Sequence, residues 1–591
     1  MFAVTIAAAG TAVTAAGCTA HVATAMAPHR LTLPDPRATE PYRKQSQPLT
    51  MQVLAHPDDD LFFMNPDTLH TLHSGTPVVS VYVTAGESTG VNHPPSGPKR
   101  KHKHDLNAYS SARHQGLRQA YATMFGLPHF TPWKREVISL AGGMPAEVDT
   151  LASGRMHATL VFLQVSMHEW SPTASLPMMW AQPGVTLPYI VAEGAPSPAD
   201  KPGVWTHGKL VDALAELMER YRPTHIRTLD PDPDIQVHDK THPRGSDEPG
   251  YSDHRDHTAT ALFTWKAMDR WVASAGSRDG AVPPFTTAAY RGYYAQRWPY
   301  NLPPASVALK ARFLLQYGGS PTWPCGNPGG CGDYGQGENE PLANRKGWIR
   351  ATHPRYPGTQ TVFAPTTARA SATGPRTAYE VLGTRAVRHT ETGPGSWGPP
   401  EDLGGGPLAP VLACIRSRAG VLLFGLRFAA LEGAGGRNAR DIVLWREGAG
   451  WESLGNPEPD DDRGRRIGSP LAVATVDGRI HLFVRNAARG VSTRVLADGA
   501  WGPWQDLGGG EVQEGLAVLL DRAGRIHIFG AGHDTIHHWA QLVPGGPVAP
   551  RRLHVPLPGD IPSARPAPDG SIELTYPRPA SAHLYRERIR V

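Results

Sequence analysis

Residues 53–59 read Val-Leu-Ala-His-Pro-Asp-Asp, and the fold assignment starts from them. The apolar run from Met51 to Leu54 is too short for a helix, and Pro57 cannot continue a ladder and biases His56 towards extended backbone. The run therefore reads as a strand that ends at His56 and carries one imidazole and two carboxylates at its C-terminal tip. In an open parallel α/β sheet, ligands bind outside the carboxyl ends of the strands. A lone His-Pro-Asp is usually a turn with a solvated carboxylate, so the reading needs a second element.

That element is Asp253-His254-Arg255-Asp256-His257. From His257 onward, Ala261, Leu262, Trp265, Met268 and Trp271 recur at helical spacing, which places residues 254–257 at or just before a first helical turn. Helix N-termini favour negative charge. One short cluster and one distant cluster of His and Asp together supply both halves of a mononuclear zinc centre.

The surroundings fit an α/β sandwich. Residues 78–83 and 224–229 are β-branched or apolar runs, while Leu210, Leu214, Leu217, Met218 and Tyr221 lie on one face of a helix. Strands alternating with helices predict a Rossmann-like domain, a mostly parallel sheet with helices on both faces. Glu87 follows the second strand at the edge that carries His56, and reads either as a support for the site or as an exposed acid after a turn. Tyr290, Tyr293, Tyr294, Trp298 and Tyr300 read as core, with sugar stacking as the alternative. His102 and His104 lie in a basic run that reads as a solvated loop. His238 and His242 flank Asp239 in an irregular acidic loop, either a rim of the site or a long surface loop.

The segments Ala55-His56-Pro57-Asp58-Asp59 and His254-Arg255-Asp256-His257 resemble the motif pair of the PIG-L or LmbE-like family, zinc-dependent de-N-acetylases acting on N-acetylglucosamine-containing molecules. The resemblance covers roughly residues 46–310. It implies that His56, Asp59 and His257 bind Zn2+, that Asp58 is the general base, and that His254 stabilises the tetrahedral intermediate while Asp256 orients and charges it. Arg113 is kept in the helix over residues 110–125, and with Glu87 it is a candidate substrate-binding residue. Two positions depart from the family pattern: Asp60 and Gly116 stand where relatives commonly carry Glu. The implied activity is removal of an acetyl group from an N-acetylglucosamine-containing glycan or glycoconjugate outside the cytoplasm. A glycan-binding surface protein with a weakly active or inactive deacetylase-like domain, and a zinc amidohydrolase acting on a non-sugar amide, are the alternatives.

The remainder of the chain frames this domain. Its 591 residues are too many for one core. A net charge of +5, without basic clustering on any element, gives no case for nucleic-acid binding. Residues 2–16 are small and apolar and lead to Cys18, resembling an export signal with a lipoprotein-type cysteine, although no Lys or Arg precedes them. With the tether that follows, residues 1–47 predict an exported protein, extracellular or lipid-anchored at the outer face of the cell membrane, with membrane contact only through this leader. Cys325 and Cys331 bracket Gly-Asn-Pro-Gly-Gly and predict a local disulfide, whereas Cys414 lies in an apolar run and reads as a buried thiol.

From residue 358 to 591 the texture becomes short β runs and Gly-rich turns. Ser396-Trp397-Gly398 with Asp402-Leu403-Gly404 recurs around Trp451 and Trp501, and Asp477-Gly478-Arg479-Ile480-His481 recurs from Asp521. A period of about fifty residues signals a β-propeller of about five units. The repeats resemble tectonin-like and fucose-lectin-like propellers, families that often bind glycans, though each Trp reads first as packing between blades. The catalytic domain is expected over residues 48–350, and the Gly- and Pro-containing stretch before 358 as a boundary across which chemistry is not shared.

Overall fold

A computed structural model describes residues 47–93, 104–167, 174–196, 203–234, 253–337, 347–365, 375–418 and 420–591. The leader with Cys18, as well as His102, His238, Asp239 and His242, lies outside the described residues.

The chain opens with β1 (Thr50–Leu54), α1 (Asp67–His73), β2 (Val78–Thr84) and α2 (Leu106–Met124). There follow β3 (Lys134–Ser139), β4 (Pro145–Ser153), β5 (Met156–Val165), α3 (Leu176–Ala181), and a small hairpin of β6 (Thr186–Pro188) and β7 (Val204–Thr206). The domain closes with α4 (His207–Tyr221), β8 (His225–Leu229), α5 (Arg255–Asp279), β9 (Thr286–Tyr290), α6 (Pro304–Gly318) and β10 (Pro354–Tyr356). The strands form one eight-stranded sheet in the order β10-β9-β8-β1-β2-β5-β4-β3. Pairings among β9, β8, β1, β2 and β5 are parallel; the edges added by β10, β4 and β3 are antiparallel.

Every residue of β1 and β2 is buried, as expected for strands covered on both faces. Val53, Val79 and Val81 pack towards Leu210, Leu214 and Trp265 of α4 and α5. Leu54 and Tyr82 pack on the other face towards Leu117, Tyr121 and Phe313 of α2 and α6. The chain leaves β1 for β2 on one side, while β8 flanks β1 on the other. The tip of β1 is thus a topological switch point, the position in such sheets where a crevice opens.

The second half is a propeller of five blades, one antiparallel sheet each, over strands between Val362 and Ile589. Two of the recurring Trp residues pack between blades: Trp451 donates to the carbonyl of Leu403 in the preceding blade at 2.8 Å, and Trp501 meets Phe424 of the preceding blade edge-on with ring centroids 6.2 Å apart. Cys325 and Cys331 are joined, with Cα atoms 5.7 Å apart. Cys414 is a free, half-buried thiol that burial pushes up to about 12.

The sheet takes its last strand from residues beyond 350, and the stretch expected to separate the halves is instead packed into both. Trp265 of α5 stacks on Phe428 of the second blade with ring centroids 4.2 Å apart, and one apolar core runs from β1 into Phe424 and Leu482. No described helix is long and apolar enough to cross a membrane.

Candidate metal centre

Asp59 shows why the tip of β1 is built as it is. Its Oδ2 accepts hydrogen bonds from the backbone N–H groups of Ala55 and His56 at 2.9 and 2.7 Å, so the chain's turn at Pro57 holds the carboxylate in place. Its Oδ1 is left facing two imidazoles, 3.1 Å from His257 Nε2 and 3.6 Å from His56 Nδ1. Those two nitrogens are 3.2 Å apart. Four-coordinate zinc with bonds of ~2.0–2.1 Å has ligand–ligand edges of roughly 3.3 Å, so these three atoms form one face of such a site.

His257 arrives from the first turn of α5, where His254 is the N-cap and its Nδ1 accepts from the N–H of Asp256 at 3.1 Å. On the far side of the His257 ring, Nδ1 meets Asp253 Oδ1 at 2.9 Å, and His56 Nε2 meets Asp256 Oδ2 at 3.2 Å. A carboxylate behind each imidazole fixes its orientation and strengthens it as a donor. The electrostatics agree. Burial opposes charge on both rings, but Asp59 with Asp256 lifts His56 to about 9, and Asp59 with Asp253 lifts His257 well above the usual range. Asp59 is held low despite its own burial by the two imidazoles. Two buried rings and one carboxylate oxygen that converge where the surrounding acids favour positive charge fit a metal ion, and the donor set of two nitrogens and one oxygen suits zinc. A second His-Asp group, His56 with His254 and Asp256, shares His56.

The remaining expected residues fall around this centre, though not all in the expected relations. Asp58 is nearly buried, which raises its pKa, and Arg113 opposes that from 2.9 Å. Arg113 therefore engages the carboxylate expected to be the base. Its other nitrogens reach Gly86 O at 2.7 Å and Tyr317 OH at 2.6 Å, and Asp333 lies 3.8 Å away. Glu87 is buried and accepts from Ser166 Oγ and from the N–H of Met167, bracing the sheet edge. Asp256 pairs with His56, whereas its carboxylate lies 4.0 Å from His254 Nδ1. Burial, followed by the neighbouring His56 and His257, holds His254 far below its usual value, so this ring is neutral rather than charged by Asp256. With Nδ1 accepting from backbone, the proton sits on Nε2.

Both departures from the family pattern have local causes. Asp60 points into the core, where Tyr82 and Tyr121 donate to it at 3.0 and 2.5 Å. Gly116 lies where α2 crosses α6, and a Cβ there would sit 2.2 Å from the carbonyl oxygen of Tyr317.

Asp253, Tyr293 and Asp333 are additions to the expected site. Asp253 stands four residues before His257, a spacing that marks it in retrospect. Tyr293 stacks on His257 with centroids 5.4 Å apart, and its N–H and that of Gly292 donate to Asp253. Asp333 lies two residues beyond the disulfide and hydrogen-bonds Tyr109, a contact with no local sequence signal.

Residues 51–268 match the family described as PIG-L: GlcNAc-PI de-N-acetylase. No curated protein matches the chain. Among solved structures, the chain is similar to a protein of unknown function from Dyadobacter fermentans, at 13% identity and TM-score 0.29, covering 39% of this chain and 78% of that one. The fucose-specific lectin from Aleuria aurantia is similar at 12% identity and TM-score 0.26, over 39% and 78%. The intramolecular trans-sialidase from Ruminococcus gnavus is similar at 14% identity and TM-score 0.26, and 36% of this chain spans half of that one.

Proposed function

We propose that the protein is a zinc-dependent hydrolase that removes the acetyl group from an N-acetylglucosamine-containing glycan or glycoconjugate. The convergence of His56 Nδ1, His257 Nε2 and Asp59 Oδ1 within a segment matching the GlcNAc-PI de-N-acetylase family carries this reading. A zinc ion held by these three would supply Lewis-acid chemistry, with water activated at neutral pH.

The chain's own residues do the rest. Asp58, beside the ligands but not among them, accepts a proton from the attacking water and returns it to the departing amine. Burial raises the pKa of Asp58, and Arg113 opposes that shift and aims the carboxylate. His254 offers Nε2–H to the oxygen that becomes negative as the amide carbon turns tetrahedral; a neutral donor suffices for that hydrogen bond. The products are acetate and the free amine.

The Cys325–Cys331 bridge supports work outside the reducing cytoplasm, and the propeller would hold the enzyme on a glycan-rich surface. Acetate release, screened over several N-acetyl sugars and oligosaccharides with purified zinc-loaded protein, tests the reading. Release from at least one N-acetylglucosamine compound is expected, and release from none of them would reject it.

A further inference from the structure

The segment leaving β8 reads Asp230-Pro-Asp-Pro-Asp234, and its three acids are met by arginines of the propeller and of β10. Arg440 of the second blade grips Asp232 with two parallel hydrogen bonds of 2.9 and 3.0 Å, and both side chains are fully buried. Arg485 of the third blade meets Asp234 at 2.5 Å. Arg355 of β10 donates to the carbonyl of Asp232 on one side and to that of Ile467, in the propeller, on the other, each at 2.9 Å.

A short chain of contacts links this junction to the metal centre. Asp230 accepts a hydrogen bond from the hydroxyl of Tyr294. Tyr294 belongs to the short helical turn Tyr293–Arg297, whose first residue stacks on His257. The N–H groups of Gly292 and Tyr293 at the start of that turn hold Asp253, and Asp253 holds His257 Nδ1. Gly292 leaves no slack, because a Cβ there would meet the Asp253 carboxylate at 2.3 Å.

We propose that Arg440 and Arg485 are positioning residues for the metal centre: the propeller fixes segment 230–234, and through Tyr294 and the turn at 292–293 it sets Asp253 and His257. The role rests on the metal reading of His257 above, but the physical link does not. Bidentate Arg–carboxylate pairs define geometry as well as attraction, and a pair desolvated on both sides has no water to substitute for a lost partner.

The test uses the full chain with Arg440→Gln and Arg485→Gln, and with Arg588→Gln as a control that breaks only the exposed pair with Asp569. Backbone hydrogen exchange is followed at the amides of Gly292 and Tyr293 and across β5, alongside titration with Zn2+ alone. Exchange at 292–293 should rise roughly threefold to thirtyfold in the two junction variants, the range of coupling carried by such networks. Zn2+ affinity should weaken by a comparable factor, while β5 and the control stay at the parent values. If either glutamine variant does not fold, the lysine variant at that position keeps the charge, loses the fork, and should show the same pattern at smaller amplitude. Unchanged exchange at 292–293 in a folded variant overturns the proposal, as does an equal rise throughout β5, which would mean general loosening. A parent protein that ignores Zn2+ but whose junction variants still loosen 292–293 would reject the metal reading and keep the coupling.

Discussion

The carboxylate of Asp59 is divided between backbone and imidazoles, and most of the site's behaviour follows from that division. One oxygen is held by two N–H groups of the turn and the other closes the triangle with His56 and His257. Removing one corner should empty the site: His257→Ala should lose bound zinc as measured by elemental analysis, and full retention would overturn the ligand assignment. Asp58 is separable from that triangle. Asp58→Asn should keep its zinc and lose on the order of 10²–10⁴ in turnover, because an amide cannot take the water's proton. Near-normal rates would remove the base from the account. That His56, Asp59 and His257 would meet could be anticipated from the two motifs, whereas the roles of ligand and base rest on the family resemblance. The orientation of Asp256 towards His56 could not be anticipated, because it depends on how a helix N-terminus meets a strand tip 200 residues away in the chain.

Among the elements, the close crossing of α2 and α6 explains a sequence departure that the motifs alone leave open. Gly116→Ala should destabilise the fold by about 1–3 kcal/mol, because backbone of α6 rather than a flexible side chain blocks the new methyl group. Thermal unfolding measures it, and an unchanged melting temperature would show that the crossing can open. The segment after β8 responds to acid. Burial would raise Asp234, but Arg485 outweighs it and holds the carboxylate at about 2, below the usual 3.8. A depressed folded-state value contributes stability that is complete above pH ~4 and lost as pH falls towards ~2, roughly 2 kcal/mol here. Arg485→Gln should abolish that share of the acid sensitivity in unfolding curves recorded across this window. The elements themselves were legible: apolar runs and helical periodicity gave β2, β8, α4 and the start of α5. The pairing of Asp234 with Arg485 was not, because a Pro-Asp repeat in a loop says nothing about which distant cation it meets.

At the scale of the whole molecule, the two halves are legible as two textures and are not independent bodies. The propeller's repeats announce their own blades, yet the arginines that reach the first domain sit at unremarkable places within those repeats. A chain ending at Thr352 lacks β10, Arg355 and every blade, and leaves Asp232 and Asp234 without their buried partners. Segment 230–234 then loses the partners that hold it against Tyr294 and the turn at 292–293. The truncated chain should therefore lose zinc affinity and turnover even on a small soluble sugar, and retention of full-length rates would show that the catalytic half stands alone. Metal-dependent de-N-acetylation is decided by following acetate and free amine together from an N-acetylglucosamine substrate. The full-length protein is assayed as purified, after chelation, and after zinc is restored. The account predicts equal amounts of acetate and amine, loss of both on chelation, and recovery of both with zinc; equal release before and after complete metal removal would contradict it.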